Sequence, residues 1–183
     1  MRLNKILKNA LLVISAGIIL TACATKKEVA VEAPKKEETK KEETKEVTKI
    51  EKIAGQMQGD VYVGTDSVKY LADGVADRVF FATNESILTT ASRETLRAQA
   101  AWLRANSNIT VVLEGHADER GTREYNLALG ERRANAAKDY LMTYGVSSDR
   151  ITVISYGKER PVDSGSNPLA WSKNRRSVTV KAN

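Results

Sequence analysis

Asp118 and Arg133 are the two charged side chains whose positions best suit them to act on one ligand. Both fall in the stretch from Glu114 to Leu141, EGHADERGTREYNLALGERRANAAKDYL. An apolar, β-branched run, Ile109-Thr110-Val111-Val112-Leu113, precedes it and reads as a buried strand. A tight polar loop from Ala117 to Arg123, with Gly121 inside it, leads into a long helix from about Thr122 to Tyr144, and Gly145 stops that helix. Asp118 therefore sits just past the carboxyl end of a strand. The helix amino end, with free N–H groups and partial positive charge, points at the same space. On the helix, Gly130, Ala134, Ala137 and Leu141 form one apolar stripe. Arg133 falls about 60° from the middle of that stripe. It belongs at the edge of the buried face, where its stem packs and its guanidinium needs an anion. A ligand with an ammonium and a carboxylate on one carbon, an amino acid head group, matches the pair. A structural ion pair tying loop to helix fits the same spacing equally well.

Other chemistry is weaker. His116, Asp118 and Glu119 suggest a metal, but His116 is the only histidine and Cys23 the only cysteine. Zinc sites usually draw His or Cys from several places, so the expectation is no metal and no cofactor. His116 is expected to close the strand and brace the loop by hydrogen bonds. A lone His beside acids is also what a hydrolase base looks like. No Gly-x-Ser-x-Gly elbow and no phosphate-binding glycine loop accompany it, so the expectation is no enzyme.

The elements that must position this pair follow in order along the chain. Residues 1–22 read as a secretory signal: Arg2, Lys5 and Lys8 start it, and Ala10 to Leu20 is apolar but too short to span a bilayer. Leu20-Thr21-Ala22-Cys23 fits the bacterial lipobox, a bulky apolar residue and two small ones before Cys. The alternative is an ordinary signal peptide with an incidental Cys. Residues 23–52 repeat KKEET, hold few apolar residues and no aromatic, and read as a disordered tether. The roughly fifty residues from Cys23 to the domain, taken as a coil, average roughly 35–45 Å and reach roughly 165–180 Å when straight. Residues 53–76 form a connecting segment with Gly55, Gly59, Gly64 and Gly74, a short strand at Val61-Tyr62-Val63 and a packing contact at Tyr70-Leu71.

Residues 77–183 read as the globular domain. Arg78 to Phe81 is its first strand, and Thr89 caps a helix to about Asn106 with Leu96, Ala100 and Leu103 inside and Trp102 beside them. Ile109–Leu113, Ile151–Ser155 and Ser177–Val180 are the later strands, and the loop from Gly157 to Lys173 holds one helical turn near Leu169-Ala170-Trp171. Strand–helix–strand–helix–strand order favours parallel pairing, with the last strand antiparallel. The fold class is α+β: a mixed four-stranded sheet with helices packed on one face.

The formal charge of +6 includes Arg2, Lys5 and Lys8; without them it is 26 − 23, or +3. That balance is too mild to argue for nucleic acid. One cysteine excludes an internal disulfide.

The motifs GHADERGTREYNLALGERRANAAKDYL, ISYGKERP and KNRRSV, over roughly Asp77 to Val180, resemble the OmpA-like peptidoglycan-binding family, most closely its lipid-anchored members. The resemblance implies an α/β sandwich that grips the diaminopimelate of the peptidoglycan stem peptide. In that family an Asp of the GHxD loop and an Arg of the NxxLxxxRA helix hold the ligand; here these are Asp118 and Arg133. It extends the site to Thr83, Asn84, Gly121, Asn126 and Leu129. Asn84 stands where family members often carry a second acid, so its contact is neutral. Arg175 and Arg176 begin the last strand, one expected exposed and the other folded back near the site or core.

The resemblance further implies cleavage before Cys23 and acyl chains on its sulfur and amine. Each buried CH₂ contributes about 0.8 kcal/mol, so three chains anchor firmly. Ala24, rather than Asp, fits sorting to the outer membrane with the domain in the periplasm. Implied partners are peptidoglycan, outer-membrane lipid through acylated Cys23, and TolB with other Tol proteins, in constriction of the envelope at division. A protein-binding scaffold and a peptidoglycan hydrolase are the competing classes.

Overall fold

Val111, Leu113 and Gly115 alternate with Val112, Glu114 and His116, and this period of two sets which face of the sheet takes the helices. The computed structural model describes residues 56–182; the signal segment, Cys23, the tether and the expectations attached to them lie outside the described residues. Eight strands and three α-helices follow in order among the described residues, with a 3₁₀ turn at Ser148–Arg150 before the seventh strand. They are β1 (Met57–Gln58), β2 (Val61–Tyr62), β3 (Tyr70–Ala72), β4 (Val75–Ala76), β5 (Arg78–Phe80) and α1 (Thr90–Ala105). Then come β6 (Val111–His116), α2 (Arg123–Thr143), β7 (Ile151–Gly157), α3 (Pro168–Asn174) and β8 (Arg176–Lys181).

The main sheet has the order β5-β8-β6-β7. β6 and β7 pair parallel, and β8 runs antiparallel between β5 and β6. The mixed four-stranded sheet is as expected. The first strand, however, does not pair with the second, because the last strand is inserted between them. β6 also begins later and ends later than the apolar run suggests. The Ile109 N–H is still tied to the Asn106 carbonyl in a turn, while β8 pairs with the strand as far as Gly115.

Val79, Phe81, Leu103, Leu113, Ala134 and Leu141 meet in the core between the sheet and the helices α1 and α2. Full burial of the Val, Leu and Phe side chains among these contributes about 1.5–3 kcal/mol each. Thr89 caps α1 as expected, its Oγ1 accepting from Ser92 N at 3.1 Å. α2 ends in a paired C-terminal lock: Gly145, at φ +82°, donates to the Met142 carbonyl and Val146 to that of Leu141. The helical turn expected near Leu169 is the two-turn helix α3, capped by the Asn167 side chain.

The connecting segment is more ordered than its glycines suggest. It forms two antiparallel hairpins, β1-β2 and β3-β4. Tyr62 packs edge-on against Phe80, ring centroids 4.7 Å apart, on the sheet face opposite the long helices. Leu71 is buried, as expected, but Tyr70 is exposed. Among the described residues, no helix is long and apolar enough to cross a membrane.

Candidate functional site

Two glycines set the depth at which α2 lies on the sheet. A Cβ built on Gly115 of β6 would overlap the Gly130 carbonyl of α2, and one on Gly130 would come within 2.8 Å of the Gly115 oxygen. Backbone meets backbone there, and the Ser155 hydroxyl of the neighbouring strand crowds the same Gly130 position, so neither glycine has room for a side chain. One turn further along α2, this close approach lets Arg133 reach the strand end. Its Nη1 donates to the His116 carbonyl at 2.8 Å, Nε to Glu85 O at 2.9 Å and Nη2 to Ala82 O at 3.0 Å.

Arg133 was expected at the edge of the buried face. Instead it is 0% exposed, because the 82–85 loop folds over it. Burial lowers its pKa to about 10, and the nearby Arg175 cation adds to this, so it stays charged at neutral pH. Carbonyls and the Phe81 ring, 5.4 Å away, hold that charge. Among the described residues no carboxylate makes a salt bridge with it. A guanidinium has five N–H donors, so two remain after the three carbonyls are served.

Asp118 occupies the loop after β6, as expected, and is buried. Its partners are not Arg133 but Arg120 and Arg175. Oδ1 accepts from the Arg120 backbone N and Nε, each at 3.1 Å; Oδ2 accepts from Arg120 Nη2 at 2.7 Å and Arg175 Nη1 at 3.3 Å. Burial by itself would raise the Asp118 carboxyl, but hydrogen bonds from Arg120 and Arg175 outweigh it and hold the group below its ordinary value. The direct Asp118–Arg133 clasp, one reading of the spacing, is therefore not formed.

The remaining expected residues surround this pair. Gly121 adopts φ +91° and its carbonyl accepts from Lys158 Nζ at 2.7 Å, closing the loop. Asn126 is buried and donates to the Arg120 carbonyl at 2.8 Å, which makes it a loop brace. Leu129 is buried under the same helix turn. The Thr83 backbone N donates to Asp60 Oδ2 at 2.7 Å, and its hydroxyl lies 3.4 Å from Arg120 Nη2. Asn84 is exposed at φ +57°, a left-handed conformation that Asn tolerates well. Thr122 caps α2, its Oγ1 accepting from Tyr125 N at 3.2 Å, so the helix amino end does open on this loop.

Sequence reasoning missed several residues. Arg120 is held by the turn that Asp118 makes with its own backbone two residues on, a signal legible in Asp-x-Arg. Both Arg175 and Arg176 are buried, where one was expected exposed. Arg175 joins Asp118 and also donates to the Phe81 carbonyl at 3.1 Å and to the Asp60 carbonyl. Asp60 comes from the first hairpin, and no local pattern announces a contact so distant in the chain. Glu119 accepts from Trp171 Nε1 at 2.8 Å and Ser166 Oγ at 3.1 Å, while Arg120 stacks on Trp171 at 4.4 Å. His116 braces the loop through its backbone carbonyl, not its ring; among the described residues neither ring nitrogen has a hydrogen-bond partner.

A family model described as the OmpA family matches residues 80–175. Over 106 residues the chain is 54% identical to a peptidoglycan-associated lipoprotein of Mesorhizobium japonicum, covering 58% of this chain and 63% of that protein. The match thus spans less than two thirds of that relative. The protein of the same description in Pasteurella multocida is 36% identical over 174 residues, covering 95% of this chain and 97% of its own. Among solved structures, the peptidoglycan-associated lipoprotein from Burkholderia pseudomallei superposes with a TM-score of 0.57 at 34% identity, over 58% of this chain and 90% of that one.

Proposed function

The chain belongs to the OmpA family, and from that membership we propose that it is an outer-membrane lipoprotein whose domain binds peptidoglycan non-covalently, through the diaminopimelate of the stem peptide. The observation that carries this reading is the buried Arg133 cation, which has two N–H groups to spare and, among the described residues, no carboxylate partner, beside the buried Asp118 carboxylate. A charge held this way asks for an anion, and its neighbour asks for a cation. Diaminopimelate offers a free carboxylate and ammonium on one carbon. Its carboxylate faces the free Arg133 N–H groups and the amino end of α2. Its ammonium replaces the Arg120 guanidinium on Asp118. Arg120 is suited to this exchange because its side chain is 42% exposed and stacks on Trp171. Thr83, Asn84, Gly121, Asn126 and Leu129 shape the rim and floor of the site.

The same reading has acylated Cys23 anchor the chain in the outer membrane, with the domain in the periplasm. There it would act in a Tol–Pal system with TolB, linking membrane to wall at constriction. It is a binder rather than a hydrolase. The His116 ring lines a cavity that does not include Asp118, and burial with three nearby arginines lowers its pKa to about 3. A base needs a value near the working pH.

The experiment is co-sedimentation of the full chain with purified diaminopimelate-type sacculi. Arg133→Ala and Asp118→Asn should each lose binding, by an amount on the order of 2–5 kcal/mol for a desolvated charge pair. Lys at position 133 should rescue little, since an ammonium cannot make the two-pronged contact. No soluble muropeptides should appear in the supernatant. Variants that fold by circular dichroism and still sediment like the parent would move the site elsewhere.

A further inference from the structure

The sheet face turned away from α1 and α2 carries a second polar site. A cavity of about 610 Å³ opens there, walled by His116, Arg176 and Arg78 from the strands and by Arg160 from the loop after β7, with Lys69 and Lys181 also in its lining. The carboxylates in the lining are Asp77 and Glu114. Arg78 is committed to Asp77 through two 2.7 Å hydrogen bonds. Lys181 instead turns its ammonium to the Trp102 ring of α1, 5.0 Å from the centroid. Arg160, Arg176 and Lys69 then stand against Glu114 alone, an excess of positive charge around a hollow.

The wall is also short of acceptors. His116 is 1% exposed, and neither of its ring nitrogens has a hydrogen-bond partner among the described residues; nor does Arg176 Nε, also buried. Glu114 Oε2 stands 3.5 Å from His116 Nε2 without bonding it. The other Arg176 nitrogens are used, Nη1 on Asn174 O at 3.3 Å and Nη2 on Arg160 O at 3.1 Å, which aligns Nε in the wall. The neutral imidazole has one N–H to give and one lone pair to receive. Buried polar atoms left unpaired are destabilising, and three of them share this wall.

We propose that this cavity is an oxyanion site that takes a phosphate group, free or esterified, on Arg176 Nε, the His116 ring and the Arg160 guanidinium. A phosphate has more acceptor oxygens than a carboxylate and carries up to two negative charges, matching both the donors and the surplus cations. Arg160 is exposed and lies over the Tyr156 ring at 3.9 Å, so it stands at the mouth and closes on the ligand. The site is separate from the Asp118 site. The two share His116, which lines the cavity while its carbonyl holds Arg133.

His116 is the only histidine in the sequence, so the histidine ring signals are all its own. The test is a titration of the full chain, ¹³C-labelled at histidine and held in detergent, at constant ionic strength set with chloride. The probes are inorganic phosphate, glycerol phosphate, and vesicles of phosphatidylglycerol against phosphatidylcholine. Saturable movement of the His116 signal with either soluble phosphate assigns a free-phosphate site. Movement only with phosphatidylglycerol vesicles assigns a lipid headgroup. Arg160→Gln, at an exposed position that does not endanger folding, should weaken the response about tenfold, as expected for one charge-assisted hydrogen bond. Arg176→Gln should abolish it. A signal that no phosphate moves beyond the chloride baseline would mean a water-filled hollow and overturn the proposal, as would an Arg160→Gln variant that titrates like the parent.

Discussion

His116 and Asp118 lie two residues apart and answer pH in different ways. Asp118 has a lowered pKa, so the stability it contributes is present above about 3.8 and is lost only as pH falls through its folded value. Its charge is therefore intact throughout the neutral and mildly acidic range. His116 is a base held down to about 3 against 6.5 when free. Below 6.5 the unfolded chain takes up a proton that the folded chain refuses, so stability falls as pH drops from about 6.5 toward 3. One proton gives a slope of about 1.4 kcal/mol per pH unit. Urea unfolding in phosphate-free buffer between pH 6.5 and 5 should show that slope in the parent. It should be missing in His116→Gln; equal slopes would mean the ring is protonated in the fold. The spacing of GHxD told where Asp118 sits, but not that the imidazole turns to the other sheet face. Alternation along β6 decides that, and the run from Ile109 to Leu113 gave no hint that the strand extends to His116.

At the scale of elements, α2 carries the site, and its position rests on a cap and a glycine contact. Thr122→Ala removes the hydroxyl that serves the Tyr125 N–H and should cost about 1 kcal/mol. Gly130→Ala forces a methyl group between α2 and β6 and should cost about 1–3 kcal/mol, with weaker sacculus binding because Arg133 is pushed off the His116 carbonyl. Denaturant midpoints and co-sedimentation on the same samples check both; a Gly130→Ala variant as stable as the parent would mean the helix is free to lift. The helices were legible in advance because caps and periodicity are local: Thr89, Thr122 and Gly145 mark ends that the structure keeps. The order of strands was not legible, since inserting β8 between β5 and β6 is a pairing between chain ends. The hairpins before β5 hid for a similar reason. Their two- and three-residue strands are too short for a periodic pattern, and they gain order from partners such as Phe80 and Arg175.

For the whole molecule, the proposed function requires an anchor at Cys23, a tether and a wall-binding domain. Cys23→Ser should release the chain from the outer-membrane fraction while the domain still sediments with sacculi. Mass spectrometry of the mature amino terminus checks the anchor directly, and an unmodified Cys23 there would remove it from the account. What distinguishes one part of the wall from another at this site is chemical. A stem peptide with lysine at the third position keeps a side-chain ammonium but lacks the carboxylate that Arg133 is proposed to meet. Calorimetric titration of the full chain with two soluble muropeptides, differing only in diaminopimelate or lysine at that position, isolates this contact. The diaminopimelate form should bind and the lysine form should be weaker by about 2–5 kcal/mol, as for losing one member of a desolvated charge pair. Equal binding of the two forms would contradict it.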